Sequence, residues 1–132
     1  MTFPYVSAIT AGVLLILQIL LALTVSMGRN DTAPLGDGGS ASMQRTVRRH
    51  GNLAENAGLF VAGFTLLELS RLSPYLLAGL CMAFVVVRLA HVLGLSQENT
   101  MNPFRMVGGA GTYLVGLILG AALVWAGLSL PH

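Results

Sequence analysis

No charged side chain occurs before Arg29, and from about Pro4 to Met27 the chain is apolar almost throughout, the runs Ala11 to Leu17 and Ile19 to Leu23 being separated by Gln18 alone. At 1.5 Å per helical residue this segment reaches about 36 Å, enough for the ~30 Å hydrocarbon core of a bilayer. A cleaved signal peptide carries a positive n-region and an apolar stretch of about 7 to 15 residues. This segment has neither, so a retained membrane helix is expected. The chain of 132 residues has length for four such spans, and its composition agrees: 55% apolar and only 9% charged, against about 25% charged in soluble domains. The expected class is all-α, an integral membrane four-helix bundle forming a single domain over residues 1–132. Seven arginines, no lysine and five acidic residues give net +2. No Lys/Arg-dense stripe is available to neutralise a run of phosphates, which excludes nucleic acid as a partner. Cys81 stands alone, so neither an internal disulfide nor a zinc cluster can form, and no metal is expected.

Helices are expected over about 4–27, 43–70, 74–95 and 103–130. Between the first two, residues 28–43 form a turn-rich loop in which Pro34, Gly36, Gly38 and Gly39 oppose helix, with Ser40 or Ser42 available as N-cap. No Lys follows these glycines, so a phosphate-binding P-loop is excluded. Ser73-Pro74 and Asn102-Pro103 repeat one grammar, a capping side chain followed by Pro at the first helical position. The fourth helix carries Gly108, Thr112, Gly116 and Gly120 at intervals of four, a ridge that lets another helix approach closely.

The second helix is the informative one. Its apolar part, Ala57 to Leu69, covers only about 20 Å, so its polar end must enter the edge of the membrane. At 100° per residue Arg45, Arg48, Asn52, Glu55 and Asn56 fall within a sector of roughly 100°, with Arg49 just beyond its rim and His50 turned away. Such a stripe faces protein rather than lipid. If the turn between helices two and three is centred near Leu72, residues whose numbers sum to about 144 are level, which sets Arg88 beside Glu55 and Asn56, and His91 beside Asn52 and Leu53. Arg88 and Glu55 are thus candidates for an ion pair holding the two helices in register. Arginines flank the first and third loops (Arg29, Arg45, Arg48, Arg49, Arg105), against Arg71 alone in the second, so both termini are expected on the non-cytoplasmic side. Tyr5, Tyr75 and Trp125 would then be interfacial aromatics at the outer face.

Ionisable groups inside a membrane helix indicate function, and the excess of positive charge, Arg48, Arg88 and Arg105 against Glu55, calls for an anion. The pattern Arg45-x-x-Arg48-x-His50-x-Asn52-x-x-Glu55, followed by Arg88-Leu-Ala-His91 and then Arg105, resembles the MAPEG family, the membrane-associated proteins of eicosanoid and glutathione metabolism. The loop Leu35-Gly-Asp-Gly-Gly39 resembles the small bacterial branch, which implies a bacterial inner membrane. The resemblance covers essentially the whole chain. It implies a homotrimer of four-helix subunits, binding glutathione as co-substrate near the cytoplasmic face between neighbouring subunits. The ridge on helix four and the stripe on helix two agree, since both want helix partners that one subunit does not easily enclose. Carried over by position, Arg48, Asn52, Glu55 and His91 match glutathione contacts, with Glu55 suited to the γ-glutamyl ammonium and Arg48 to a carboxylate. Arg29 matches an arginine from the adjacent subunit, and Arg88 the structural partner of the helix-two glutamate. Arg105 matches the arginine that steadies the glutathione thiolate in catalytic members.

This chain departs from the catalytic eicosanoid members where they carry hydroxyls. Leu95 stands one turn past His91, Met106 follows Arg105, Gly109 lies four residues after it, and the nearest tyrosine, Tyr113, is a turn deeper. Gly58 stands near the place of an expected proline. Two classes of function follow. One is a membrane glutathione transferase, with peroxidase activity a variant of it, acting on lipophilic electrophiles from the bilayer. The other is a non-catalytic protein of the same fold that binds a thiol or an anionic lipid or organises other proteins. Arg105 favours the first and the missing hydroxyls the second. A channel is disfavoured because the polar groups occupy one end of the span only.

Overall fold

The computed structural model describes residues 3–29, 37–99 and 101–129, and among these it contains four helices and no strand: α1 (Tyr5–Gly28), α2 (Ala41–Ser70), α3 (Pro74–Ser96) and α4 (Pro103–Ser129). Residues 30–36 of the first loop, including Pro34, Leu35 and Gly36, lie outside the described residues, as does Leu130 at the expected end of α4. The helix starts follow from local chemistry. Ser40 rather than Ser42 caps α2, accepting from Met43 N–H at 3.3 Å, and Ser73 caps α3 through Leu76 N–H at 3.3 Å. Asn102 Oδ1 accepts from Arg105 N–H at 2.9 Å, while its Nδ2 donates to the Gly94 and Asn99 carbonyls at 2.8 and 2.7 Å. One buried side chain thus starts α4 and satisfies the end of α3.

α1 has no capping side chain of its own, since Pro4 precedes it. Its first amides are satisfied from the far end of α2: Val6 N–H donates to Glu68 Oε1 at 3.0 Å and Ser7 N–H to Glu68 Oε2 at 2.8 Å. A carboxylate there also complements the positive end of the helix dipole. Sequence spacing gives no sign of this role, because donor and acceptor are more than sixty residues apart. Glu68→Ala should cost about 1–2 kcal/mol and lower the thermal midpoint of the purified protein. An unchanged midpoint together with unchanged hydrogen exchange at Val6 and Ser7 would show that the clamp contributes nothing.

α2 and α3 form the centre of the bundle, α1 packing on both from one side and α4 on both from the other. Phe60 of α2 stacks on Phe84 of α3 with ring centroids 4.0 Å apart, and Phe64 meets the edge of Phe84 at 5.7 Å. Leu53, Leu67, Leu77 and Leu80 extend this seam. α3 and α4 approach most closely, through glycine. A Cβ at Gly94 would lie 2.3 Å from Arg105 N, one at Gly108 2.5 Å from His91 N, and one at Gly111 2.5 Å from Val87 Cγ1.

The small-residue ridge of α4 is therefore divided. Gly108 admits α3, Thr112 meets Arg88, and Gly116 admits Phe60 of α2, leaving Gly120 alone open. Most of the ridge is consumed within the subunit, so it does not by itself call for a second copy.

α1, α3 and α4 are each long and apolar enough to cross a membrane. α2 is too polar in its first half to qualify, yet its Met43 packs at Gly28 and its Glu68 at Val6, so it traverses the same height as α1. Large apolar side chains such as Ile16, Leu59, Val86 and Leu117 cover the outside, the surface that lipid solvates. The molecule is an integral membrane four-helix bundle, a form that satisfies the backbone groups of a spanning segment largely within the helix itself.

Candidate functional site

At the end of the bundle bearing the first and third loops, α2 and α4 diverge over α3. They touch at Phe60–Gly116 and Gly63–Leu119, but nearer the loops they leave a groove of about 940 Å³ between them. Its volume lies in the upper part of the range of small-molecule sites. α2 supplies Arg45, Arg48, Asn52 and Glu55; α3 supplies His91 and Gly94 at the back; α4 supplies Arg105, Met106, Gly109 and Tyr113. Five of the residues singled out in the sequence, Arg48, Asn52, Glu55, His91 and Arg105, thus share one groove. Arg29 is not among its lining residues: α1 lies across α2 and α3 from α4, which leaves Arg29 away from the groove of its own chain.

The floor is organised by Arg88, which is 1% exposed. Its Nη1 donates to Thr112 Oγ1 at 3.1 Å and its Nη2 to Asn52 Oδ1. Thr112 in turn donates to the Gly108 carbonyl at 2.7 Å. This corrects the expected Glu55–Arg88 ion pair. Among the described residues no such pair is formed, and the one ion pair joins Arg45 to Glu98 across 4.0 Å. The reason is geometric. Asn52 lies on the side of α2 that faces α3, whereas Glu55, three residues on and about 60° round the helix from it, is exposed at the rim. Because a guanidinium only donates, Arg88 fixes the Asn52 amide with its oxygen inward, which leaves the NH₂ group available on the groove side.

The remaining stripe residues separate by angle. Asn56 Nδ2 bonds back to the Asn52 carbonyl at 2.8 Å and is not among the groove's lining residues. Arg49 crosses to Ser96 Oγ at 3.0 Å and to Thr46 Oγ1 at 3.2 Å, tying α2 to the end of α3. His50 faces α1, its carbonyl accepting from Gln18 Nε2 at 3.4 Å. His91 Nδ1 is buried without a hydrogen-bond partner behind the groove, about 4.0 Å from where a Cβ of Gly109 would be. Tyr113, set aside by spacing alone because it lies two turns beyond Arg105, shares the groove. A check of which α4 residues fall on the Met106 face would have found it, since seven residues make nearly two full turns.

Chemically the groove offers three guanidiniums, one carboxylate, one imidazole and the amides of Gln44, Asn52 and Gln97, and an apolar wall of Val47, Leu95, Met106 and Ala110 beside them. Among the described residues no group of three or more His, Cys, Asp or Glu could hold a metal ion. No individual curated protein and no solved structure matches the chain. The profile of the MAPEG family matches residues 6–125, from the first turn of α1 almost to the end of α4. The match takes in residues of all four helices, and the chain belongs to the MAPEG family.

Proposed function

We propose that the protein is a membrane-bound glutathione transferase whose groove holds the tripeptide at the loop end and receives a lipophilic electrophile from the bilayer. The observation that carries this reading is charge matching. Glutathione bound as its thiolate presents two carboxylates, one sulfur anion and one ammonium; the groove presents Arg45, Arg48 and Arg105 against Glu55. In this reading Glu55 takes the ammonium and Arg48 a carboxylate. Asn52, oriented by Arg88, donates its amide, His91 adds a contact from behind, and Arg105 lies at the thiolate. The Arg45–Glu98 contact is a long surface pair, of the kind worth under about 1 kcal/mol, and yields Arg45 to a ligand at little cost. A free thiol has a pKa near 8.5, and a guanidinium beside the sulfur favours the thiolate. The positive end of α4 adds to the same effect.

A homotrimer belongs to the same proposal. Glu55 is exposed on a helix that crosses the membrane, beside Ala54, Gly58 and Leu59, which are exposed too. A carboxylate left against lipid is costly, and a neighbouring subunit or bound glutathione must cover it. That neighbour would also bring its Arg29 toward the groove. By the positive-inside rule the groove opens to the cytoplasm of a bacterial inner membrane.

Titration calorimetry of glutathione into the detergent-purified protein tests the reading. Wild type should bind, and Glu55→Gln should weaken binding by roughly tenfold or more through loss of a charge-assisted bond. The subunit's thermal midpoint should not move, since Glu55 forms no ion pair among the described residues. Absence of binding, or equal affinity in the two proteins, would contradict this assignment. Binding without any turnover would instead leave the non-catalytic member of the fold, which the missing hydroxyls beside Arg105 favour.

A further inference from the structure

Tyr113 is out of place for a membrane tyrosine. Tyrosines ordinarily sit at the membrane–water interface, where the hydroxyl reaches water or headgroups, as Tyr5 and Tyr75 do at the starts of α1 and α3. Tyr113 lies ten residues into α4, about 15 Å along its axis, and is 75% exposed. Leu114 and Leu117 beside it are exposed as well. Its hydroxyl has no hydrogen bond among the described residues, and a hydroxyl left so in hydrocarbon is unfavourable. The same side chain lines the groove that holds Arg105. Helical side chains lean toward the preceding turn, where Gly109 and Ala110 line the same groove, so at that turn of α4 no bulky side chain separates the phenol from the Arg105 end.

We propose that Tyr113 is a specificity-determining residue, its phenol donating a hydrogen bond to the carbonyl oxygen of a lipophilic α,β-unsaturated aldehyde or ketone. The proposal rests on the transferase reading and adds the class of electrophile. Separation selects that class. Arg105 and Tyr113 stand two turns apart, so sulfur and the oxygen that gains charge must also be well separated. In displacement of a halide or opening of an epoxide, charge grows on the atom next to the carbon attacked. In conjugate addition sulfur bonds to the β-carbon, the C=C π pair moves toward the α-carbon, and charge grows on the carbonyl oxygen three bonds away, where Tyr113 stabilises it. The enolate then takes at its α-carbon a proton from water, replacing the one the thiol released. The sum is addition of S–H across C=C, with nothing else oxidised or reduced.

The test compares kcat/KM for a long-chain 2-enal and for a long-chain alkyl iodide, which has no oxygen, in wild type and Tyr113→Phe, with oligomeric state and thermal midpoint measured on both proteins. Tyr113→Phe should lower the enal-to-iodide preference roughly tenfold or more, with oligomer and midpoint unchanged. An unchanged preference overturns the proposal, and if the oligomer or midpoint shifts at the same time the phenol serves subunit packing instead. A wild-type protein that conjugates the iodide but not the enal overturns the proposal alone. One that binds glutathione and conjugates neither overturns the transferase reading and this inference with it.

Discussion

Gly108→Ala should be among the most damaging single substitutions in this protein, lowering stability by about 3 kcal/mol or more, beyond the usual range for one added methyl in a core. The added carbon would lie 2.5 Å from His91 N and 2.6 Å from His91 Cα. Those are backbone atoms of α3, which cannot rotate away as a side-chain tip can, so relief requires the two helices to separate. Gly94→Ala meets Arg105 N and Cα in the same way and should behave alike. Gly79→Ala on α3, with nothing within 4 Å of its added carbon, is the control. It should be neutral or stabilising by up to about 1 kcal/mol, because alanine is the better helix former. Thermal unfolding of the three variants in one detergent checks the order. If Gly108→Ala and Gly79→Ala melted together, the close packing of α3 on α4 would be wrong. Because His91 and Arg105 lie at these two contacts, a partly folded Gly94→Ala protein should also lose ligand affinity.

Arg105→Ala should show the largest kinetic effect. Arg48, Asn52, Glu55 and His91 remain in the groove, so glutathione affinity is expected within about tenfold of wild type. Turnover with a model electrophile should fall by roughly tenfold for each unit by which the bound thiol's pKa rises. Arg105→Lys should restore part of the rate, because a point charge replaces a charge even though the planar fork is lost. A variant that loses binding and turnover in equal proportion would make Arg105 a binding residue with no special tie to sulfur.

Much of the architecture was legible in the sequence because bilayer thickness and capping chemistry are both local. Ser73-Pro74 and Asn102-Pro103 announce helix starts that the structure contains, and the runs between them fix the spans. The levelling of α2 against α3 predicted that Arg88 would meet the polar turn of α2. It does, one turn from the expected place, because a long guanidinium can reach past its own level to Asn52. What failed was the choice of partner. Opposite charge suggested Glu55, but a sector 100° wide includes both the side of α2 that meets α3 and the side that meets the groove, and angle decided against charge. The ridge on α4 was visible as a pattern, while its partners were not: spacing of four says that a helix can come close, not that Gly108 receives α3 and Gly116 receives α2. Glu68 and Gly94 were illegible for a related reason. Each acts on a distant segment, Glu68 on the first amides of α1 and Gly94 on the backbone at Arg105, and neither belongs to a periodic pattern.

The groove itself was half legible. The polar residues of α2, α3 and α4 could be assigned to one depth, which is why five of them line one cavity. The apolar wall beside them could not be told from any lipid-facing stretch, and Tyr113 was visible only as a tyrosine in the wrong register.

Whether this groove binds glutathione as a thiolate held by Arg105 is read out by ultraviolet difference absorbance of the thiolate, titrated with pH on the detergent-purified protein. Wild type saturated with glutathione should show thiolate absorbance near neutral pH, where free glutathione shows little, since its thiol titrates near 8.5. In Arg105→Ala the transition should move up by a unit or more, equivalent to about 1.4 kcal/mol per unit of lost differential stabilisation. Bound glutathione that shows no thiolate near neutral pH in wild type, with Arg105→Ala titrating identically, would contradict the account and leave a membrane protein that binds the tripeptide without activating it.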